Sequence, residues 1–302
     1  MQESAFLLGQ LFNGISVASL FVMAALGLAL SFGLMRVINM AHGEMLMLGG
    51  YLAYLTLEVV PGPLGILVAM PAAFIGAAII GALLEWSIVQ RLSSRPLDTL
   101  LATWGVSLIM QQAARNLFGA IGVQVVAPGW LDHAIVISSG PLAGLTLPVA
   151  RLFILGVAVA TLAAIALLLN KTRLGLYVRA VNQDRPIAAA MGVNARLVDL
   201  CVFSLGTGVA GLAGVTLALL GPVTPTVGQS YIVPAFLVVI LGGLGSLVGT
   251  TIASLMAGVF TAFVEIFVDV SLAQVLMLVF VIVFIQFRPQ GVISVRSRAL
   301  EG

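Results

Sequence analysis

The chain is a succession of apolar runs, each near the roughly 20 residues that cross a hydrocarbon core of about 30 Å, with Pro, Gly and charged residues marking the breaks. The pattern predicts helices near 7–34, 38–59, 64–89, 98–118, 152–170, 198–220, 231–248, 250–268 and 272–287. The expected fold is an all-α integral membrane protein, a polytopic bundle of about nine transmembrane spans (8–10) in a single domain over 1–302. The span at 231–248 is the one expected to be broken or re-entrant, because Pro234 and the run LGGLGSLVG weaken an ordinary helix. A bilayer accepts such backbone only where protein or a water-filled cavity shields it.

Composition sharpens this into an exclusion. Of 302 residues, 61% are hydrophobic and 8% charged, and the mean hydropathy is +1.19. A soluble domain has about 45–50% apolar and about 25% charged residues. The N-terminus MQESAFLLGQ has Glu3 and no Lys or Arg before the first apolar run, so it lacks the basic region of a cleaved signal and is expected to be retained. The one cysteine, Cys201, allows neither an intramolecular disulfide nor a cysteine-based metal site, and it sits in an apolar run as packing.

The net charge is only +2, but its placement orients the chain. Alternating nine spans puts Arg36, Arg91, Arg95, Lys171 through Arg196, Arg288, Arg296 and Arg298 on one side, which leaves only Arg115 and Arg151 of the 13 basic residues on the other. The positive-inside rule makes that richer side cytoplasmic, with the N-terminus external and the C-terminus internal. An external loop of about 119–150 then holds Trp130 as an interfacial anchor, with His133 as a surface residue. An internal loop of about 171–197 holds Asp184-Arg185-Pro186 before IAAAMGVN, which predicts a capped start, a short helix and a Gly stop. Small residues recur every fourth position at Ala25, Ala29, Gly33; Ala73, Ala77, Gly81; and Gly206, Ala210, Gly214. In lipid such stripes let helix backbones approach closely.

Candidate chemistry is confined to polar residues within the spans. GGLGSLVG at 242–249 lacks the GK[ST] ending of a phosphate-binding loop, and there is no HExxH or GxSxG, so no catalytic or metal site is expected. Polar side chains inside a bilayer are costly and mark pathways or interhelical bonds. One group is Arg36, Asn39, His42 and Glu44 at the start of the second span. Asn39 and His42 are spaced for one helical face, and Glu44 points elsewhere unless the helix is interrupted. Another is Thr103, Ser107 and Gln111, a polar ridge at four-residue spacing. Asn39, His42, Thr103, Ser107 and Gln111 are therefore the candidate solute-pathway residues, with interhelical hydrogen bonding as the competing role. Glu85, Asp199, Glu265 and Asp269 stand near span ends, where solvated interfacial carboxylates are expected. The exposed-looking IAAAMG stripe reads either as a connector or as a helix docked in a groove of a soluble partner.

Several stretches resemble the permease subunits of the branched-chain amino-acid class of bacterial ABC importers: LFNGISVASL, GLALSFGLMRVINMAHGEMLMLGGY, TRLGLYVRAVNQDRPIAAAMGVN, VVILGGLGSLVGT and FIQFRPQG. The stretches INMAHGE, RPLDTLLATWGVSLIMQQAAR, APGWL, GQSYIVPAFLVVILGGLGS and FRPQG look most like the urea-type permeases, with Pro234 in YIVPAF departing from the acidic residue of many of those relatives. The resemblance implies an inner-membrane importer subunit, not itself an enzyme, without cofactor or nucleic-acid partner. It works with a second permease of the same class, two cytoplasmic ATP-binding subunits and a periplasmic solute-binding protein. It also implies a coupling helix over Arg185, Pro186, Ile187, Ala188, Ala189, Ala190, Met191, Gly192, Val193 and Asn194. Urea or a short-chain amide is the expected solute. A branched-chain amino acid is the alternative within the class, and a stand-alone channel or secondary carrier the alternative outside it.

Overall fold

The computed structural model describes residues 2–35, 37–93, 95–137 and 146–293. Arg36, Arg296, Arg298 and part of the 119–150 loop lie outside the described residues. The helices are α1 (Gln2–Met35), α2 (His42–Val59), α3 (Gly65–Leu92), α4 (Pro96–Phe118), α5 (Val149–Lys171), α6 (Arg173–Gln183), α7 (Arg185–Ala190), α8 (Ala195–Ala218), α9 (Val227–Gly242), α10 (Leu247–Val264) and α11 (Val270–Phe287). A two-stranded antiparallel pair, β1 (Ala134–Val136) and β2 (Thr146–Pro148), precedes α5.

Each of the nine predicted runs contains a helix. Among the described residues, six are long and apolar enough to cross a membrane by themselves: α1, α3, α5, α8, α10 and α11. The other three fall short for visible reasons. Helix α9 has 16 residues, α2 carries Glu44 and Glu58, and α4 carries Asp98, Gln111, Gln112 and Arg115. The fold is thus a multi-pass helical membrane protein.

Two boundaries differ from the sequence expectation. Helix α9 runs unbroken through the buried Pro234 and ends at Gly242, and the turn that follows uses Gly243 and Gly245, both with positive φ. A proline removes only the bond to the carbonyl four residues back, whereas a left-handed glycine at the end of a helix stops it outright. The break therefore falls at Gly243–Ser246, and Ser246 caps α10 by accepting from the Gly249 N–H at 3.0 Å. The second difference is α6, an amphipathic helix in what the sequence suggested was loop. Its Val178 and Val181 are buried with Leu26, Leu30, Val198 and Val202.

Helices α1 and α8 lie at the centre, largely buried, while α3, α5 and α11 turn most of their surface outward. The small-residue stripes lie at these crossings. A Cβ added at Gly81 on α3 would stand 1.9 Å from Thr207 Oγ1 on α8, and one at Gly206 would stand 2.5 Å from the Gly27 carbonyl on α1. Larger residues would force these helices apart, which is how a bundle in lipid gains its van der Waals contact.

Candidate functional site: a polar seam at the start of α2 and a charged corner at α7

Helix α2 begins well inside the bundle. His42, its first residue, donates from Nε2 to the Ala24 carbonyl of α1 at 3.0 Å. Ala24 stands about 16 Å before the C-terminal end of α1 at the rise of a helix, so residues 37–41 climb back along α1 before α2 starts. Asn39 is therefore not on the helix, and the shared helical face expected for Asn39 and His42 does not form. Instead the Asn39 side-chain oxygen accepts from the Ala41 N–H at 3.0 Å, and its backbone carbonyl accepts from the His42 N–H at 3.3 Å. This is the local turn chemistry for which asparagine competes with helix.

The α4 ridge meets this turn. Thr103 Oγ1 accepts from the Met40 N–H at 3.1 Å. Ser107 Oγ and Gln111 Nε2 both donate to Glu44 Oε1, at 2.9 and 2.7 Å, and Gln111 Nε2 lies 3.1 Å from Ser107 Oγ. Thr103, Ser107 and Gln111 are buried, whereas Leu101, Trp104, Leu108 and Ile109 on the same helix are exposed. So α4 is held to α2 through its polar ridge. Glu44 is the centre of the seam, and it was missing from the candidate pathway set. The ridge itself could have pointed to it, since a buried carboxylate needs donors and the ridge's stacked hydroxyl and amide groups can supply them, as Ser107 and Gln111 do.

The seam retains unused capacity. Asn39 Nδ2, His42 Nδ1 and Glu44 Oε2 are buried without a hydrogen-bond partner among the described residues. The start of α9 adjoins it: a Cβ at Gly43 would stand 2.4 Å from the Gly228 carbonyl, and one at Gly228 would stand 2.3 Å from the Gly43 carbonyl. Two helix N-termini, each with a partial positive charge, thus meet beside a carboxylate. At the far end of α2, a hollow of about 560 Å³ is lined in part by Tyr54, Glu58, Gln124 and Trp130, whose Nε1 donates to the Pro63 carbonyl at 2.9 Å. His133 is exposed.

The predicted coupling segment resolves into one helix and two turns. Asp184 Oδ1 caps α7 by accepting from the Ile187 N–H at 2.9 Å, Gly192 at φ +87 ends it, and Asn194 Oδ1 caps α8 by accepting from the Leu197 N–H at 3.2 Å. With six residues α7 is shorter than the two or three turns expected. Ala188 is buried against α6 and α8, while Ile187 and Met191 are 62% and 81% exposed, so one face is anchored and the other is free. A groove of about 450 Å³ borders Arg185, Pro186, Ala189 and Arg196.

Two carboxylates expected at a solvated interface lie instead inside this corner. Asp199 of α8 is 8% exposed and pairs with Arg185, and Glu85 of α3 is 1% exposed. The reason is tertiary: α6 and α7 pack on α8, which begins with the Asp199 turn, and the Glu85 turn of α3 packs on α4 and α8, so run ends that sequence alone places at the surface are covered. Glu265 is half-buried and Asp269 exposed, as expected of span ends.

Comparison with known proteins joins this geometry to a family. A family model described as "Branched-chain amino acid transport system / permease component" matches residues 10–285. The high-affinity branched-chain amino acid transport system permease protein BraD of Pseudomonas aeruginosa is 28% identical over 303 residues, 97% of this chain and 98% of that protein. The corresponding permease protein LivH of Escherichia coli K12 is 26% identical over 97% of each chain. A shorter stretch of 100 residues, 31% of this chain, is 34% identical to 28% of the fructose import permease protein FrcC of Rhizobium meliloti. None of these three is named for urea or a short amide. No solved structure matches the chain.

Proposed function

The chain belongs to the branched-chain amino acid transport permease family, and from that premise we propose that it forms one half of the pathway by which an ABC importer moves a branched-chain amino acid across the inner membrane. Near full-length similarity to BraD and LivH supports this solute over urea or a short amide, because those relatives are named for branched-chain amino acids. Its partners are a second permease of the same class, two ATP-binding subunits and a solute-binding protein. The basic-rich side, with α7, faces the cytoplasm.

The observation that carries a solute pathway is the seam at α2. Glu44 Oε2, Asn39 Nδ2 and His42 Nδ1 are buried beside the meeting starts of α2 and α9 without partners. An unpartnered polar group in a membrane interior costs free energy that a passing solute's own donors and acceptors offset. A free carboxylate oxygen suits the ammonium end of an amino acid better than a neutral amide. Thr103, Ser107 and Gln111 act in the pathway indirectly, by fixing Glu44.

The test is uptake of radiolabelled leucine by the complete complex in proteoliposomes. Excess valine suppresses it, while urea and acetamide leave it unchanged; suppression by urea but not valine returns the solute to the urea class. The polypeptide alone transports nothing, and leucine flux without the ATP-binding subunits would favour a stand-alone carrier.

A further inference from the structure

Glu85 is a carboxylate that no step above uses. Its Oε2 is buried with no hydrogen-bond partner among the described residues. It also opens a π turn over Glu85–Val89 in α3. Such turns insert one residue into a helix at the expense of its regular bonding and are frequent at functional sites. The turn packs on α8. Gly81, one turn before it, is pressed against Thr207, and Asp199 lies about two turns from Thr207 toward the start of α8. Glu85 therefore feels the charges of both Asp199 and Arg185.

Arg185 is the first residue of α7. Its guanidinium pairs with Asp199, yet its side chain stays 50% exposed against 11% for Asp199. Asp199 on one helix thus holds the guanidinium, and Glu85 on another, itself unpaired, lies within its electrostatic reach. The cation sits on a short element: a six-residue helix with one buried residue, Ala188, and side-chain caps at its start and after its end.

We propose that Glu85 is the second seat of the Arg185 guanidinium: Arg185 rests on Asp199 in the conformation described here and passes to Glu85 when α7 is displaced toward α3. The exchange swaps one ion pair for another of the same charge, so it is reversible at small energetic difference, as a two-state element requires. It transmits motion because the two seats are on different helices. On Asp199, Arg185 ties α7 to α8; on Glu85, it ties α7 to the π turn of α3, a segment able to change its bonding register. Glu85 is then a positioning residue for transport, acting through Arg185. The proposal rests on the reading that α7 meets an ATP-binding subunit.

The experiment uses the whole complex with both permeases, both ATP-binding subunits and the binding protein. It compares ATP hydrolysis with and without leucine-loaded binding protein, alongside leucine uptake. Glu85→Gln keeps the shape and removes an unpaired buried charge, so the complex assembles and melts no lower than the unmodified one. The ratio of stimulated to basal hydrolysis falls by about tenfold, within the ordinary range of coupling between two sites, and uptake falls with it. Asp199→Asn leaves Glu85 as the only seat and does the reverse, raising basal hydrolysis toward the stimulated rate. Glu85→Asp, which keeps the charge on a shorter stem, restores part of the ratio. An unchanged ratio and uptake in Glu85→Gln overturn the proposal, and so does failure of that variant to assemble, which makes Glu85 structural. If the unmodified complex shows no leucine-stimulated hydrolysis, the importer reading itself fails and takes the proposal with it.

Discussion

Glu44 and Glu85 are both 1% exposed, and both stand where a bilayer-embedded protein has little reason to keep a carboxylate. Their surroundings differ. Glu44 receives two donors from one helix, and those donors are neutral, stacked and themselves buried. Glu85 has beside it an ion pair whose cation belongs to a short helix at the edge of the bundle. Neutral donors on a rigid helix fix a carboxylate in one position, since nothing is gained by leaving them. On the exchange proposed above, the Arg185 guanidinium, paired with Asp199 and near a second carboxylate, has two comparable positions. The first arrangement suits a fixed pathway wall and the second a moving joint, and the contrast can be attacked one variant at a time, ranked by effect on the bundle itself.

The largest effect comes from Gly81→Leu. The Cβ alone would stand 1.9 Å from Thr207 Oγ1, and the three nearest atoms all belong to the Thr207 side chain of the buried α8. Forcing α3 from α8 should cost at least about 3 kcal/mol, seen as a collapse in yield and in the melting temperature of the purified chain. The contact of α3 with α8 that brings Glu85 near Asp199 is lost with it, while the α2–α4 seam has no part in the clash. A Gly81→Leu protein that melts like the unmodified one would mean that the two helices are not this close.

Next is Gln111→Leu. It removes the 2.7 Å donor to Glu44 and leaves Ser107 alone on that carboxylate, at a cost of about 1–3 kcal/mol. The effect differs in kind from Glu85→Gln, which should be neutral or stabilising because no bond to Oε2 is lost. Combining Glu44→Gln with Gln111→Leu should be less than additive, with a coupling of about 0.5–3 kcal/mol measured by thermal melting. Strict additivity would show that the two residues do not act together.

These two carboxylates also show what the sequence could and could not reveal. The spans were legible because the length of an apolar run answers directly to membrane thickness. The α4 ridge was legible because polar residues every fourth position on an apolar helix must face something. Glu44 was half legible: its donors were recognised, but its link to them depends on where α2 begins, and Asn39 shifts that start by forming its own turn. Glu85 and Asp199 were misread as solvated because both lie at the ends of apolar runs. Their burial depends on α6 and α7 packing on α8 around Asp199 and on α4 and α8 packing on the Glu85 turn, tertiary facts with no local signature. The π turn at Glu85–Val89 likewise has no composition that marks it.

The smallest effect on the bundle, and a complete one on the assembly, is expected from Ala189→Asp. Ala189 is on the exposed side of α7 beside Ile187 and Met191, while Ala188, one residue earlier, is buried against Val181 and Val198. A carboxylate at 189 meets water in the isolated chain, so melting should shift by no more than the ±0.5 kcal/mol usual for surface changes. If α7 docks as proposed, the same carboxylate would be desolvated inside a partner's groove, and co-purification of the ATP-binding subunits should be lost. Ala188→Asp inverts the pattern: an unpaired charge enters the core beneath α7, stability falls by several kcal/mol, and the corner that brings Arg185 to Asp199 goes with it. Retention of the ATP-binding subunits by Ala189→Asp would take the exposed face of α7 out of the interface. The joint at Arg185 would then have nothing to move it, and Glu85 would have to be explained in the same static terms as Glu44.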